Sequence, residues 1–200
     1  MARKNADLHG AAPHSSRVAL VLIDVINAMR FPTGDLLARQ ALPAARAIVA
    51  MKKRAAAAGV PVIYANDNYG RWRSDFRATL AHARAPDAPG RKVAALLAPA
   101  NEDYFVLKPK HSAFYASSLE LLLSYVGAEC IVLAGFAGDI CVRFTAQDAF
   151  LRDYELVVAS DGTASEDPRS NKAALAYMRD TLGATIKPAK RIDFRRLSRR

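Results

Sequence analysis

The sequence predicts one α/β domain built on a mainly parallel sheet, and three observations predict it. First, uninterrupted apolar runs recur along the chain: RVALVLIDV (17–25), VPVIYAN (60–66), DYFVLKP (103–109), ECIVLAG (129–135) and ELVVASDG (155–162). Strands covered on both faces read this way, whereas half-exposed strands alternate polar and apolar residues. Second, the segments between these runs carry helical spacing, so strand and helix alternate over the whole body. Third, 200 residues with 52% apolar and 24% charged content suffice for one sizeable core and fall short of a clear two-domain length.

The elements follow in order. After the first strand, the Ala/Leu-rich stretch 35–59 reads as a helix closed by Gly59, with Pro43 starting its main part and ending a short turn before it. The second strand leads into 67–90, an irregular stretch with the sole tryptophan, several arginines and a short helix over 75–84. Such an insertion after a strand is commonly a functional loop. Residues 92–98 add a helical turn or two. The third strand ends in a lysine, and SSLELLLSYVG (117–127) is a serine-capped helix with a terminal glycine. Strand four runs into LAGFAGDICV, where a helix is expected to begin at Asp139 or Ile140 and continue to about Asp153. A fifth strand, a helix over 167–184 with Pro168 near its start, and a weak last strand at 185–187 complete the body.

The net charge of +10 suggests a nucleic-acid partner until its distribution is considered. Residues 187–200 hold seven basic side chains against Asp193 alone, while residues 18–186 are nearly neutral. The domain is therefore placed at 17–187, with 1–16 and 188–200 as basic tails, and no nucleic acid is expected. No apolar run reaches the roughly 20 residues of a membrane span. The first sixteen residues lack the apolar centre of a secretory signal. Two cysteines fit a reducing compartment. A cytoplasmic protein without a membrane partner is expected.

In parallel sheets, ligands bind beyond the carboxyl ends of the strands. Asp24 ends strand one, Lys108 ends strand three, and Cys141 lies just past strand four in the first turn of the expected helix. A thiol there meets unpaired N–H groups and the positive end of the helix dipole, which lower its pKa. Asp24 can accept the thiol proton and Lys108 can stabilise the thiolate, the pattern of an activated nucleophile. Taken singly, each residue has a plainer reading as a cap, a snorkelling lysine or a packed thiol. Ser160, Asp161 and Thr163 lie near the same edge as pocket or turn residues.

LIDVINAM, VLKPKHSAF and LAGFAGDICV occur in the order seen in the isochorismatase-like cysteine hydrolases, and the chain resembles that family over roughly 17–187. The resemblance implies a three-layer α-β-α sandwich on a six-stranded mainly parallel sheet. It also implies a catalytic triad of Asp24, Lys108 and Cys141, and a cis peptide between Phe136 and Ala137. That bond would aim the Ala137 N–H, with that of Cys141, into an oxyanion hole. The implied reaction is thiolate attack on an amide or carbamoyl carbon, departure of the amine with the proton held by Asp24, and cleavage of the thioester by water activated by Asp24. A homodimer or homotetramer is implied as well.

The resemblance also has gaps. Nicotinamidases bind a metal through an Asp-x-His pattern after strand two; here Asp67 is followed by Tyr69 in the His position, and phenol is a poor ligand for ions that favour imidazole. No metal and no cofactor are expected. His82 and His111 are isolated in sequence and read as surface or hydrogen-bonded histidines. A glutamine often found two residues past the aspartate is Ile26 here. Asn66 and Asp67 are expected in the substrate pocket, with Tyr69 and Trp72 walling a small planar molecule, Arg71 or Arg73 gripping a carboxylate, and Phe114 packed near Lys108. The function expected is cleavage of a C–N bond in a small amide, carbamoyl or ureide compound. A non-catalytic binding or scaffold module and a metal-dependent nicotinamidase are the alternatives. A nucleotide-binding reading lacks the glycine-rich motif after strand one.

Overall fold

The computed structural model describes residues 15–70 and 75–199. Among the described residues there are six strands, all paired in parallel: β1 (Val18–Ile23), β2 (Val62–Asp67), β3 (Tyr104–Lys108), β4 (Cys130–Phe136), β5 (Glu155–Ala164) and β6 (Thr185–Lys187). Their spatial order is β3-β2-β1-β4-β5-β6. The chain builds outward from β1 in one direction and then, from β4, in the other. The order reverses between β1 and β4, and a doubly wound sheet opens its ligand crevice at such a switch point.

Alternate residues of β1 feed two separate cores. Val18, Leu20 and Leu22 pack with α1 (Gly34–Ala57), α2 (Phe76–Ala83) and α3 (Arg91–Leu96). Ala19, Val21 and Ile23 pack with α4 (Leu119–Val126), α5 (Arg143–Phe150) and α6 (Pro168–Asp180). All six β1 residues are fully buried, which is why that run has no polar interruption. Each large apolar side chain removed from water in this way contributes about 1.5–3 kcal/mol.

Two expectations are corrected. Helix α1 continues through Pro43 and is not restarted by it. Pro43 is exposed, so its ring lies on the outer face of the helix. Ala41, Ala44, Ala45 and Ile48 on the inner face hold the helix against the sheet. The second correction concerns the basic tail over 188–200, of which Arg200 is not described. Residues Ala189–Arg191 form a 3-10 turn and Phe194–Ser198 a short helix, α7. Ala189, Ile192 and Phe194 are buried in the α1 core. Asp161 accepts a hydrogen bond from the Ala189 N–H at 2.5 Å, and Arg17 donates to the Leu197 carbonyl at 3.2 Å. The charges belong to the outer face of a folded segment.

No helix among the described residues is long and apolar enough to cross a membrane.

Candidate active site

The carboxyl ends of β1, β2 and β3 and the turn after β4 converge at the switch point. Asp24 leaves β1 with φ at 53°, a left-handed conformation unusual for a residue with a side chain. Its N–H still donates to Ala65 O on β2 at 3.0 Å, so the strand pairing carries on to the residue that turns. Asp24 Oδ1 accepts the Asp67 N–H at 2.7 Å, and Oδ2 pairs with Lys108 Nζ at 2.9 Å.

Lys108 is the last residue of β3 and has no solvent exposure. A buried ammonium is tolerated only with partners for its donors. Nζ donates to Asp24 Oδ2, to Lys110 O at 3.1 Å and to Cys141 Sγ at 3.7 Å, with Asp67 Oδ2 also at 3.7 Å. Burial works against the Lys108 charge. The two carboxylates and Cys141 outweigh it and leave the ammonium above its ordinary pKa.

Cys141 sits in a single π-helical turn, Gly138–Val142, ahead of α5, and not in the first turn of an α-helix as expected. Val142 N–H closes the turn on Ala137 O at 3.2 Å. Such wide turns recur at functional sites because they displace one residue from the regular spiral. The expected cis bond is also corrected: no peptide among the described residues is cis, so Phe136–Ala137 is trans. Gly135 at φ 135° and Ala137 at φ −10°, ψ 96° make the bend by torsion alone. Gly135 is required there, since a Cβ would lie 2.1 Å from the Ile23 carbonyl oxygen.

The thiol does not have the lowered pKa that its place ahead of a helix suggested. Burial pushes it well up, the Asp24 charge adds to this, and Lys108 recovers only part. Burial likewise raises the Asp24 carboxyl, against the pull of Lys108 and its hydrogen bonds to Lys108, Cys141 and Asp67. The raised pKa keeps the Cys141 thiol in its neutral form, beside an Asp24–Lys108 contact with the 2.9 Å geometry of an ion pair. A bare thiolate would put an extra negative charge into this enclosure. Passing the thiol proton to Asp24 leaves the net charge unchanged, with Lys108 facing the new thiolate.

Two hydroxyls fix the turn. Thr145 Oγ1 donates to Cys141 O at 2.8 Å and accepts the Ala113 N–H at 3.0 Å, tying the loop after β3 to the turn after β4. Ser165 Oγ accepts the Asp139 N–H at 3.1 Å and donates to Asn171 Oδ1 at 3.2 Å. A Cβ on Gly138 would lie 2.1 Å from that same Asn171 oxygen.

The expected substrate residues divide. Asp67 and Tyr69 are at the site. Asp67 Oδ1 accepts the Tyr69 N–H at 2.6 Å. Tyr69 is 43% exposed as a residue, yet its phenol is pushed well above its usual pKa by burial, then by the charges of Asp24, Asp67 and Cys141. Asn66 is not brought to the trio: it alternates with Asp67 along β2, is fully buried, and donates to Ile26 O at 2.8 Å, bracing the loop after β1. Phe114 is a core residue, buried among the apolar side chains of α4 and α5, with the Arg152 guanidinium 4.9 Å from its ring centre. Arg71, Trp72 and Arg73 lie outside the described residues. Among the described residues no group of three or more His, Cys, Asp or Glu is disposed to hold a metal ion.

His111, read from the sequence as a surface or hydrogen-bonded histidine, is exposed and stands beside the thiol, a neighbour the sequence did not reveal. Its Nδ1 lies 3.8 Å from Cys141 Sγ and its ring packs on Phe144, centroids 5.6 Å apart. Its place three residues past Lys108, at the same edge of the sheet, was the available signal.

Comparison with known proteins places these features in a wider set. The isochorismatase domain family model matches residues 18–189. The uncharacterized isochorismatase family protein YaaI of Bacillus subtilis (strain 168) is 36% identical over 168 residues, 84% of this chain and 92% of that protein. The ureidoacrylate amidohydrolase RutB of Methylobacterium radiotolerans is 29% identical over 199 residues, 82% of this chain and 74% of that protein. The crystal structure of N-carbamoylsarcosine amidase from Thermoplasma acidophilum matches with a TM-score of 0.66 at 28% identity, covering 88% of this chain and 99% of the other.

Proposed function

Because the chain belongs to the isochorismatase family, we propose that it is a cysteine-dependent hydrolase cleaving a C–N bond of a small amide, carbamoyl or ureide compound through a thioester. The observation that carries this reading is Lys108 Nζ standing between a buried carboxylate, Asp24 at 2.9 Å, and a thiol, Cys141 at 3.7 Å. Two similar proteins named as an amidohydrolase and an amidase support the reaction class.

In this mechanism Asp24 takes the Cys141 proton as the sulphur attacks the carbonyl carbon. Lys108 holds the developing thiolate, so the step moves charge within the enclosure without changing its total. The carbonyl oxygen becomes an oxyanion received by the N–H groups of Ala137 and Cys141, and loss of one such donor costs about 3–4 kcal/mol of barrier in comparable sites. The C–N bond breaks and Asp24 returns the proton to the departing amine. Ammonia is the natural first product where the leaving group is an unsubstituted amide nitrogen. Water then cleaves the thioester. The Asp67 carboxylate, 3.7 Å from Lys108 Nζ, and the neighbouring Tyr69 phenol are the acceptor and donor this reading assigns to the amide part of the substrate.

The test is a screen for ammonia release over ureides, N-carbamoyl amino acids and simple amides, with wild type and Cys141→Ala in parallel. Turnover that depends on Cys141, with the acyl group recovered by mass on the peptide carrying it, is the expected result. Full turnover by Cys141→Ala would end the proposal.

A further inference from the structure

We infer that Thr145 is a positioning residue: its hydroxyl holds the loop after β3 to the turn after β4 and so sets the approach of Lys108 to Cys141. Its effect on turnover rests on the cysteine-hydrolase reading; its effect on the thiol stands apart from that reading.

The sheet does not set this approach. β3 lies at one edge, with β2 and β1 between it and β4. Three strand spacings of about 4.8 Å separate β3 from β4 by roughly 14 Å. Lys108 and Cys141 therefore belong to segments that no ladder joins, yet Nζ and Sγ stand 3.7 Å apart. The lysine covers part of the gap with its own length and is held at its far end by Asp24 Oδ2 at 2.9 Å. Residues 109–118, which contain neither helix nor strand, bring the chain back toward α5.

That loop touches both partners. The Lys110 carbonyl accepts a hydrogen bond from Lys108 Nζ at 3.1 Å. Ala113, further along, is fully buried and held at both ends: its N–H donates to Thr145 Oγ1 at 3.0 Å, and its carbonyl accepts the Ser117 hydroxyl at 2.5 Å. Thr145 Oγ1 in turn donates to the Cys141 carbonyl at 2.8 Å. A closed path thus runs from the ammonium through the loop and one hydroxyl to the residue that carries the thiol. Slack at Thr145 opens that path at the contact between Lys108 and Cys141, which at 3.7 Å has no short bond of its own.

A threonine that donates to the carbonyl one turn back is common in helices. The second bond, to a separate loop, is what gives Thr145 its positioning role. A hydroxyl carries one proton. Giving it to Cys141 O leaves lone pairs directed at the Ala113 N–H, so the two bonds depend on one orientation. Thr145 has no solvent exposure, and loss of its oxygen leaves the buried Ala113 N–H without this acceptor. A buried donor in that state drives its segment toward another partner.

Thr145→Val keeps the shape and removes both bonds, whereas Thr145→Ser keeps the hydroxyl and removes a methyl group. Thr145→Ala, with space for a water at the Ala113 N–H, takes the place of the valine variant if that protein does not fold. Alkylation of Cys141 by iodoacetamide at neutral pH, located by peptide mass, should slow roughly tenfold in Thr145→Val and stay within about threefold of wild type in Thr145→Ser. In a Lys108→Met background the valine change should have no further effect, because the ammonium it displaces is gone. With p-nitrophenyl acetate in a stopped-flow instrument, the rate of the nitrophenolate burst should fall with the alkylation rate, at an unchanged half-saturating concentration. A serine variant as slow as the valine one would make Thr145 a packing residue and overturn the assignment. A valine effect that persists in Lys108→Met would overturn it as well. A wild type that forms no acetyl-Cys141 would overturn the thioester reading, while the alkylation series would still decide the role of Thr145.

Discussion

Lys108 Nζ and Asp24 Oδ2 form a 2.9 Å ion pair with both side chains enclosed by the sheet edge. The pair sets the state of the thiol beside it, and its two members act on that thiol with opposite sign. The Asp24 charge pushes the Cys141 pKa up and Lys108 pulls it down. Alkylation of Cys141 by iodoacetamide at neutral pH should therefore be slow in wild type. It should speed up in Asp24→Asn and slow further in Lys108→Met, roughly tenfold for each unit by which the thiol pKa moves. Amide turnover should be lost in both variants. Peptide mass spectrometry distinguishes Cys141 from Cys130, and matching labelling rates in all three proteins would remove the electrostatic coupling.

The same pair makes a stability prediction. Removing one member of a buried ion pair leaves the other charge uncompensated, at a cost of about 3–5 kcal/mol. Lys108→Met leaves both Asp24 and Asp67 facing an apolar end and should lower the urea midpoint accordingly. Asp24→Asn combined with Lys108→Met should cost less than the two single changes added. The sign with pH follows from the raised folded pKa of Lys108. Its contribution is fully present below the unfolded value of about 10.4 and is lost as pH climbs through the higher folded value. Wild-type stability should thus fall above about pH 10, and Lys108→Met should lack that part of the decline.

Asp24, Lys108 and Cys141 were legible because each closes or follows an apolar run, and parallel strands deliver their carboxyl ends to one edge. What remained hidden depends on approach in space. His111 meets Cys141 where Thr145 ties two loops together, a contact between residues far apart in sequence. Phe114 was read as packing near Lys108 because it follows the lysine; the chain turns inward at Ala113 and carries the ring into the core. The π turn at Cys141 leaves no mark in composition, and the reading of a lowered thiol pKa assumed a regular helix end. Charge concealed the fold of residues 188–199, where Ala189, Ile192 and Phe194 are outnumbered by basic neighbours.

That C-terminal segment can be checked directly. Phe194 is 3% exposed within the α1 core, so Phe194→Ala should destabilise the protein by about 3–5 kcal/mol. Arg195→Ala changes an exposed side chain on the same short helix and should stay within about 0.5 kcal/mol of wild type. Urea unfolding of both variants measures the contrast. Equal midpoints would return 188–199 to the status of a tail.

The turn that carries Cys141 gives the last prediction. Gly138 has no room for a side chain, because the first atom added would lie 2.1 Å from Asn171 Oδ1. That oxygen is the far end of a side chain and can swing away. Doing so breaks its bond to Ser165 and loosens its contacts with Thr163, and Ser165 is the acceptor for the Asp139 N–H. Gly138→Ala should therefore cost about 1–3 kcal/mol in stability, and turnover more steeply, since a displaced turn misaims both the thiol and the N–H groups proposed as oxyanion donors. Asn171→Ala removes the obstructing atom. If the clash is the cause, Gly138→Ala with Asn171→Ala should be more active than Gly138→Ala alone and no worse than Asn171→Ala. A double variant as impaired as the sum of the two singles would mean that Gly138 is needed for its backbone freedom and not for the space beside Asn171. Thermal melts and p-nitrophenyl acetate bursts on the four proteins decide between the two.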